Sequence, residues 1–199
     1  MVKVRPKAEF LWHNKGITLE KLDRTDEALQ CYKKAIALDS GCADLHYHYG
    51  IVLYERDDFQ TACNEFNKAL QIRHDDSNFL LWKARALAAL SKTEEARQIV
   101  NFLIADNQKN ADAWFVLGRI EKDDATALPY FQKAYKIRPK HGGALCSSAA
   151  CLSNLGKFDE ALDIFLKMGG FCPRHEFCET LLMNICTTIQ RIAMFPSSR

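Results

Sequence analysis

The chain has 199 residues, in which 27 Lys and Arg nearly balance 25 Asp and Glu. This balance argues against a polyanion-binding tail and against a strongly acidic disordered region. Hydrophobic residues make up 48% of the chain and charged residues 26%, as in a soluble globular protein. A chain of this length buries enough apolar surface to fold without a disulfide or a metal ion.

The sequence shows no sign of secretion or of a membrane span. The basic residues 1–7 are not followed by an apolar segment, because the polar residues 13–15 interrupt the apolar residues 10–12. No apolar run approaches the roughly 18 residues that a spanning helix requires. We therefore expect a cytoplasmic protein whose eight cysteines are thiols.

Small residues recur along the chain with a period of 34 residues. One series contains Gly16, Gly50, Ala84 and Gly118, and a second contains Ala28, Ala62 and Ala96. Tyr32, Phe66 and Val100 follow the second series at a constant interval of four residues. A fixed period of this length is typical of repeat architectures, in which each unit buries its apolar face against the next.

Each repeat divides into two apolar-periodic stretches that predict a pair of helices. In the first repeat these are roughly residues 9–22 and 25–38. Within the second stretch, Leu29, Tyr32 and Ile36 follow the spacing of one helix face. No period-two alternation persists along the chain, so no β-sheet is predicted.

The repeats resemble the tetratricopeptide repeat (TPR) family, whose pattern is W-x2-L-G-x2-Y, then A-x3-F, then A, then P. The matching residues are Trp12, Gly16, Ala28, Tyr32 and Ala35 in repeat one (9–42); Tyr49, Gly50, Ala62, Phe66 and Ala69 in repeat two (43–76); Ala84, Leu87 and Ala96 in repeat three (77–110); Trp114, Leu117, Gly118, Ala127, Phe131, Ala134 and Pro139 in repeat four (111–141); and Ala149, Leu152, Ala161, Phe165 and Pro173 in repeat five (142–175). The resemblance implies an all-α, right-handed α-solenoid of five TPR helix pairs. We expect an N-terminal extension at 1–8 and a C-terminal capping helix with its tail at 176–199.

Repeat four is three residues shorter than the others between Gly118 and Ala127. It also contains Pro129, which would break the interior of a helix. If Thr126 caps the second helix of this repeat, Pro129 falls in the first turn, where its missing N–H has no partner to lose. We therefore expect a late helix start and a locally altered superhelix.

The resemblance implies that the first helices of the repeats line a concave groove. The predicted partner-binding residues are His13, Asn14, Ile17, Tyr47, His48, Ile51, Tyr54, Leu81, Trp82, Arg85, Phe115 and Arg119. Trp, Tyr and Arg are the residue types that most often dominate binding interfaces. We expect the groove to receive an extended or helical peptide, with Arg85 and Arg119 available to acidic groups. The alternative is that several of these aromatic residues pack against neighbouring first helices.

One known TPR subtype does not fit the sequence. Some TPR co-chaperones hold the C-terminal carboxylate of heat-shock proteins with a clamp of Lys, Asn, Asn, Lys and Arg. The corresponding positions are His13, Ile17, His48, Asn78 and Trp82. None of them matches, so an adaptor for chaperone tails is not expected.

Catalytic, metal and nucleic-acid functions have little support. Cys172, His175 and Cys178 could begin a zinc site, but structural zinc sites normally show two pairs of ligands. The alternative is a turn in which the cysteines fill space between helices. No phosphate-binding loop or hydrolase motif occurs, and the net charge of +2 lacks the basic cluster of a nucleic-acid protein. We expect no enzyme, no cofactor and no bound nucleic acid.

The last predicted helix carries two apolar stripes on residues 176–195. One stripe contains Leu182, Cys186, Ile189 and Ala193, and the other contains Leu181, Ile185, Ile192 and Phe195. A terminal cap normally has a polar outer face, so the second stripe suggests self-association or docking to a partner. The alternatives are a broadly buried helix and a chain shortened from a longer array. The predicted function is a scaffold or adaptor that binds a protein partner in its groove. The alternatives are an oligomeric scaffold assembled through 176–195 and, more remotely, a metal-binding protein or an enzyme.

Overall fold

The computed structural model describes residues 8–168 together with Met183. This part of the chain forms ten α-helices and no strand, which confirms the prediction of an all-α chain of five helix pairs. The helices are α1 (Ala8–Glu20), α2 (Thr25–Leu38), α3 (Ala43–Glu55), α4 (Phe59–Ile72), α5 (Ser77–Ala89), α6 (Thr93–Asp106), α7 (Ala111–Ile120), α8 (Asp124–Ile137), α9 (Gly142–Asn154) and α10 (Phe158–Met168). Apart from Met183, the predicted capping segment 176–199 lies outside the described residues. The handedness of the array stays a prediction.

The chain divides into two compact units, Met1–Ile99 and Val100–Arg199. In the first unit α1 packs on α2 and α3 packs on α4, while α2 contacts α3 and α4 contacts α5. In the second unit α7 packs on α8 and α9 packs on α10, while α8 contacts α9. Within each unit, the second helix of one pair therefore packs on the first helix of the next pair. Because a single pair cannot bury its apolar face alone, this stacking completes the core of each unit.

The periodic glycines lie against the buried aromatic rings. A Cβ atom at Gly50 would lie 2.7 Å from Cε1 of Phe66, and one at Gly16 would lie 2.7 Å from Cζ of Tyr32. The rings of Tyr32 and Phe66 are completely buried. A side chain at either glycine would therefore overlap the ring that packs against it, and the close approach of the paired helices explains the sequence period.

First helices end in the same way in four of the five repeats. The residue that closes each of them has a positive φ, and these residues are Asp23, Asp57, Ser91 and Gly156. In the second repeat the Asp57 N–H donates to the Tyr54 carbonyl at 3.1 Å, and the Asp58 N–H donates to the Leu53 carbonyl at 3.0 Å. This Schellman arrangement satisfies carbonyls at the end of the helix and reverses the chain toward the second helix.

The fourth repeat corrects one prediction. Thr126 does not cap α8, because the carboxylate of Asp123 accepts the hydrogen bond from the Thr126 N–H at 2.9 Å. Pro129 consequently lies inside α8 rather than in its first turn. The prediction of a late helix start is therefore wrong. The first residue of α8 lies three residues before Ala127, and the first residues of α2 and α4 likewise lie three residues before Ala28 and Ala62. The missing residues are instead lost from the end of α7, which has 10 residues where α3 has 13.

The core of the first unit contains a buried histidine–carboxylate contact, and its histidine stands where two other repeats carry tryptophan. Nδ1 of His46 lies 2.7 Å from Glu65, and Lys68 donates to the other carboxylate oxygen at 2.7 Å. His46 and Glu65 are both buried. Burial raises the pKa of Glu65, but the hydrogen bonds from His46 and Lys68 outweigh it and hold that pKa below its ordinary value.

Candidate partner-binding site

Ten of the predicted partner-binding residues lie on α1, α3 and α5, the three first helices of the first unit. One of the ten, Leu81, is only 8% exposed, so its assignment to the binding surface is wrong and it belongs to the core. We call the other nine the first-helix face. Its members are His13, Asn14, Ile17, Tyr47, His48, Ile51, Tyr54, Trp82 and Arg85. Asn14 is exposed and the other eight are half-buried.

Helical periodicity separates this face from the core. On α3, Tyr47, Ile51 and Tyr54 follow the i, i+4, i+7 spacing of one helix face and remain partly exposed. The opposite face of the same helix carries Tyr49 and Leu53, which are buried. The same helix thus contributes to the core of the unit and presents apolar side chains on the first-helix face.

The aromatic side chains of the face form a continuous network with the core. The ring of Tyr54 lies 5.4 Å from Trp82, which lies 6.3 Å from the buried ring of Phe66. Tyr47 lies 6.3 Å from Phe66 and 5.2 Å from His48. Each ring therefore packs against neighbouring helices and is only partly accessible. This agrees with the alternative that several of these aromatic residues pack between first helices. The binding role of these residues stays a prediction.

A pair of histidines joins α1 to α3 in this face. The ring centroids of His13 and His48 lie 5.1 Å apart, and His48 stacks on Tyr32 at 6.2 Å. Nε2 of His13 is buried and has no hydrogen-bond partner among the described residues. Burial lowers the pKa of both histidines, and His13 lowers that of His48 further, while Asp44 acts in the opposite direction.

Arg85 supplies a positive charge to the face. Its guanidinium carbon lies 4.7 Å from the ring centroid of Trp82, which is the geometry of a cation–π interaction. Burial raises the pKa of Tyr47, and the neighbouring Arg85 opposes that rise. The half-buried guanidinium is therefore held in place by an aromatic ring and lies close to a phenol.

Two ion pairs that the sequence analysis did not predict join the helices of a repeat, one pair in each unit. Arg73, which follows α4, donates to both carboxylate oxygens of Asp44 at 3.1 and 2.9 Å. In the second unit Arg138, which follows α8, donates to Asp112 at 2.7 Å. Both pairs join the start of a first helix to the end of the second helix of the same repeat. The sequence signal was an Asp at the second repeat position combined with an Arg just after the second helix.

The other two predicted site residues lie in the second unit. The ring of Phe115 on α7 lies 5.7 Å from Phe131 and 4.9 Å from His141, so it is half-buried. Arg119 is exposed on the same helix. These residues form the corresponding surface of their own unit.

The described part of the chain shows no metal or membrane-spanning feature. Among the described residues no group of three His, Cys, Asp or Glu side chains is arranged to hold a metal ion. The predicted zinc ligands Cys172, His175 and Cys178 lie outside these residues. No described helix is both long enough and apolar enough to cross a bilayer.

Comparison with known sequences identifies the family. Residues 10–42 match the tetratricopeptide repeat family, and residues 58–141 match the family described as Tetratricopeptide Repeats-Sensor. The chain belongs to the tetratricopeptide repeat family. The TPR fold supports a role in protein–protein interaction, and TPR proteins bind protein or peptide partners. Members of the family are typically non-catalytic.

Two relatives match most of this TPR chain but are much longer. It is 27% identical over 181 residues to the human (Homo sapiens) Protein O-mannosyl-transferase TMTC3, a match that covers 87% of this chain and 20% of the relative. It is 29% identical over 171 residues to TPR repeat-containing protein MJ1428 of Methanocaldococcus jannaschii, a match that covers 77% of this chain and 29% of the relative. The chain thus spans less than a third of either relative.

Solved structures share the TPR fold at low sequence identity. TTC0263, a thermophilic TPR protein of Thermus thermophilus, matches with a TM-score of 0.77 and 15% identity, covering 90% of this chain and 100% of that one. PilF of Pseudomonas aeruginosa matches with a TM-score of 0.70 and 18% identity, covering 96% and 93%. YrrB, described as a TPR protein with an unusual peptide-binding site, matches with a TM-score of 0.55 and 22% identity, covering 85% and 89%.

Proposed function

We propose that the chain is a non-catalytic scaffold whose first-helix face binds a segment of a protein partner. The observation that carries this proposal is the arrangement of half-buried rings on α1, α3 and α5. Two of them pack on the buried ring of Tyr32 and two on the buried ring of Phe66: His13 and His48, and Tyr47 and Trp82. Tyr47 and Trp82 are the central anchors, since both pack on the buried ring of Phe66 and keep an accessible side.

Preorganisation explains why such a face favours binding. Ordering a side chain on association costs about 0.5–1.5 kcal/mol for each flexible group. The rings of Tyr47 and Trp82 already lie against neighbouring rings in the free chain, and Arg85 already lies over Trp82. A partner that covers them therefore gains apolar contact while little side-chain freedom is lost.

A peptide selection tests the proposal with ligands of unrestricted sequence. Peptides are selected from a random display library on the full chain, and their Kd values are measured by isothermal titration calorimetry. Truncation of a central anchor typically costs about 2 kcal/mol or more, so Trp82→Ala and Tyr47→Ala should each weaken binding by about thirtyfold or more. Circular dichroism confirms that each variant remains helical.

A matched control separates the face from a general loss of aromatic surface. Phe102 on α6 is 54% exposed and lies outside the first-helix face. Phe102→Ala should therefore change the Kd by less than about twofold, the change expected of a surface substitution away from a contact. Peptides that bind Trp82→Ala and Tyr47→Ala as tightly as the unaltered chain would overturn the proposed function.

A further inference from the structure

The two histidines of the first-helix face do more than add aromatic surface. They come from different helices, α1 and α3, and their ring centroids lie 5.1 Å apart. Two positive charges at this separation repel each other, and half-burial reduces the screening by water. Protonation of both histidines, which would give each ring a positive charge, therefore has a considerable cost in free energy.

The surroundings of His13 disfavour the positively charged form of its ring even when His48 is neutral. A protonated imidazole has two N–H donors, whereas a neutral imidazole has one N–H donor and one acceptor nitrogen. Nε2 of His13 is buried and has no hydrogen-bond partner among the described residues, so a proton there would remain unsatisfied. The ring centroids of His13, His48 and Tyr32 lie 5.1–6.2 Å from one another, so the half-buried ring of His48 packs against both and its charged form is also poorly hydrated.

The charged and titratable groups around the pair offer little compensation. On α2 the hydroxyl of Tyr32 already donates to Glu20 at 2.9 Å. On α3, Asp44 attracts a proton on either histidine, but Arg73 after α4 neutralises that carboxylate with two hydrogen bonds. On α3 and α5, Tyr47 and Arg85 supply a phenol and a positive charge beside it, which adds no attraction for a second cation.

We propose that the first-helix face binds an apolar segment of its partner while His13 and His48 are both uncharged, and releases it when the pair takes up a proton. This proposal rests on the proposed function of the same face. A partner that covers the rings removes them from water, which disfavours the charged form further. By linkage, the proton and the apolar segment then oppose each other's binding.

The sign of the effect identifies the chemistry of the partner segment. An apolar segment over the pair binds more weakly as the pH falls, since the protonated ring would be buried without a partner. A segment that places a carboxylate over the pair would bind more tightly on acidification. The unpaired Nε2 and the aromatic surroundings favour the apolar segment.

The binding test uses a peptide selected at pH 7.5 whose affinity depends on Trp82. Its Kd is measured at pH 7.5, 6.5 and 5.5, with circular dichroism at each pH to confirm the helical content. Below the pKa of the pair in the free chain, each proton that must be released weakens binding by up to about tenfold per pH unit. We expect the Kd to rise on acidification, and a Kd that stays constant or falls would overturn the proposal.

Variants assign the pH response to the pair. His13→Phe together with His48→Phe keeps two rings and removes both titrating groups, so the ratio of Kd at pH 5.5 to Kd at pH 7.5 should fall to about 1. His74→Phe, at an exposed position outside the face, should keep the ratio of the unaltered chain. A pH response that survives in the double variant would contradict the assignment to this pair.

A measurement without any peptide separates this inference from the proposed function. Proton NMR of the histidine rings follows the titration of His13 and His48 in the free chain, where both should titrate below a histidine in a short peptide. Titration at or above that reference would overturn the inference. If no selected peptide depends on Trp82, the proposed function fails and the inference falls with it; if a dependent peptide shows no pH response, the inference alone fails.

Discussion

Gly50 provides a quantitative test of how closely the paired helices pack. In Gly50→Ala the new methyl group would lie 2.7 Å from Cε1 of Phe66 and 3.0 Å from two further ring atoms. Carbon atoms in contact prefer about 3.5–4.0 Å, so the ring or the helix must move by about 1 Å. Because Phe66 is completely buried, its ring has no free space to enter.

Two effects of opposite sign decide the stability of this variant. Overpacking of a filled core costs about 1–3 kcal/mol. Replacing glycine by alanine inside a helix contributes about 1 kcal/mol in the stabilising direction. We therefore expect Gly50→Ala to lower the free energy of unfolding by about 1 kcal/mol, with the steric term larger than the gain in helix propensity.

A double-mutant cycle measures the steric term directly. Free energies of unfolding are obtained by urea denaturation for Gly50→Ala, Phe66→Val and the combination. The third repeat places alanine and valine, Ala84 and Val100, at the corresponding positions, so the combination is one the chain already uses. In the Phe66→Val background Gly50→Ala should become stabilising by up to about 1 kcal/mol. A coupling energy near zero, or a stabilising Gly50→Ala in the unaltered chain, would refute the close approach.

Three further predictions concern stability. Ser148 is completely buried and its hydroxyl has no hydrogen-bond partner among the described residues; Ser148→Ala should raise the free energy of unfolding by about 1 kcal/mol, and a loss would contradict the unsatisfied hydroxyl. Ser91 and Gly156 close their first helices with φ values of 60° and 73°. Ser91→Gly should raise the free energy of unfolding, measured by thermal or urea denaturation, by about 1 kcal/mol, and Gly156→Ser should lower it by a similar amount. No change in either variant would refute the cost of a left-handed backbone at a residue with a side chain. Because the pKa of Glu65 is lowered in the folded chain, its contribution to the free energy of unfolding is present above about pH 4.5 and is lost as the pH falls through the lowered pKa. The difference in free energy of unfolding between the unaltered chain and Glu65→Gln should therefore shrink on acidification. A constant difference would contradict the ion pair of Glu65 with Lys68.

The helix pairs were predictable because one sequence period reports one packing contact. Gly16 and Gly50 each face an aromatic ring of the partner helix, so the spacing of small and aromatic residues contains the geometry of the pair. This contact is local, since both helices belong to the same repeat. Pattern and structure therefore agree wherever the glycine and the ring are present.

The shortened repeat was not predictable to the same degree. A deletion between Gly118 and Ala127 can be accommodated at the end of α7 or at the start of α8, and either choice preserves the pattern. Asp123 and Thr126 are both good capping residues, so composition did not distinguish them. The structure places the loss in α7 because Asp123 keeps α8 in the register of the other second helices.

The members of the first-helix face were predictable in outline but not in burial. Leu81 and Trp82 are adjacent on α5, and a small rotation of that helix decides which of them faces the core. His13 and His48 are 35 positions apart in the sequence, and only the packing of α1 on α3 brings their rings to 5.1 Å. Contacts between repeats depend on helix rotation, which a repeat pattern does not specify.

The central claim is that a partner segment covers the first-helix face, and NMR of a bound peptide tests it most directly. A selected peptide is titrated into the labelled chain while the Trp82 indole and the methyl groups of Ile17 and Ile51 are followed. The account predicts that these signals shift most and that methyl groups on the exposed ends of α2 and α4, at Leu38 and Ile72, shift little. Large shifts at Leu38 and Ile72 with unchanged Trp82, Ile17 and Ile51 would contradict it.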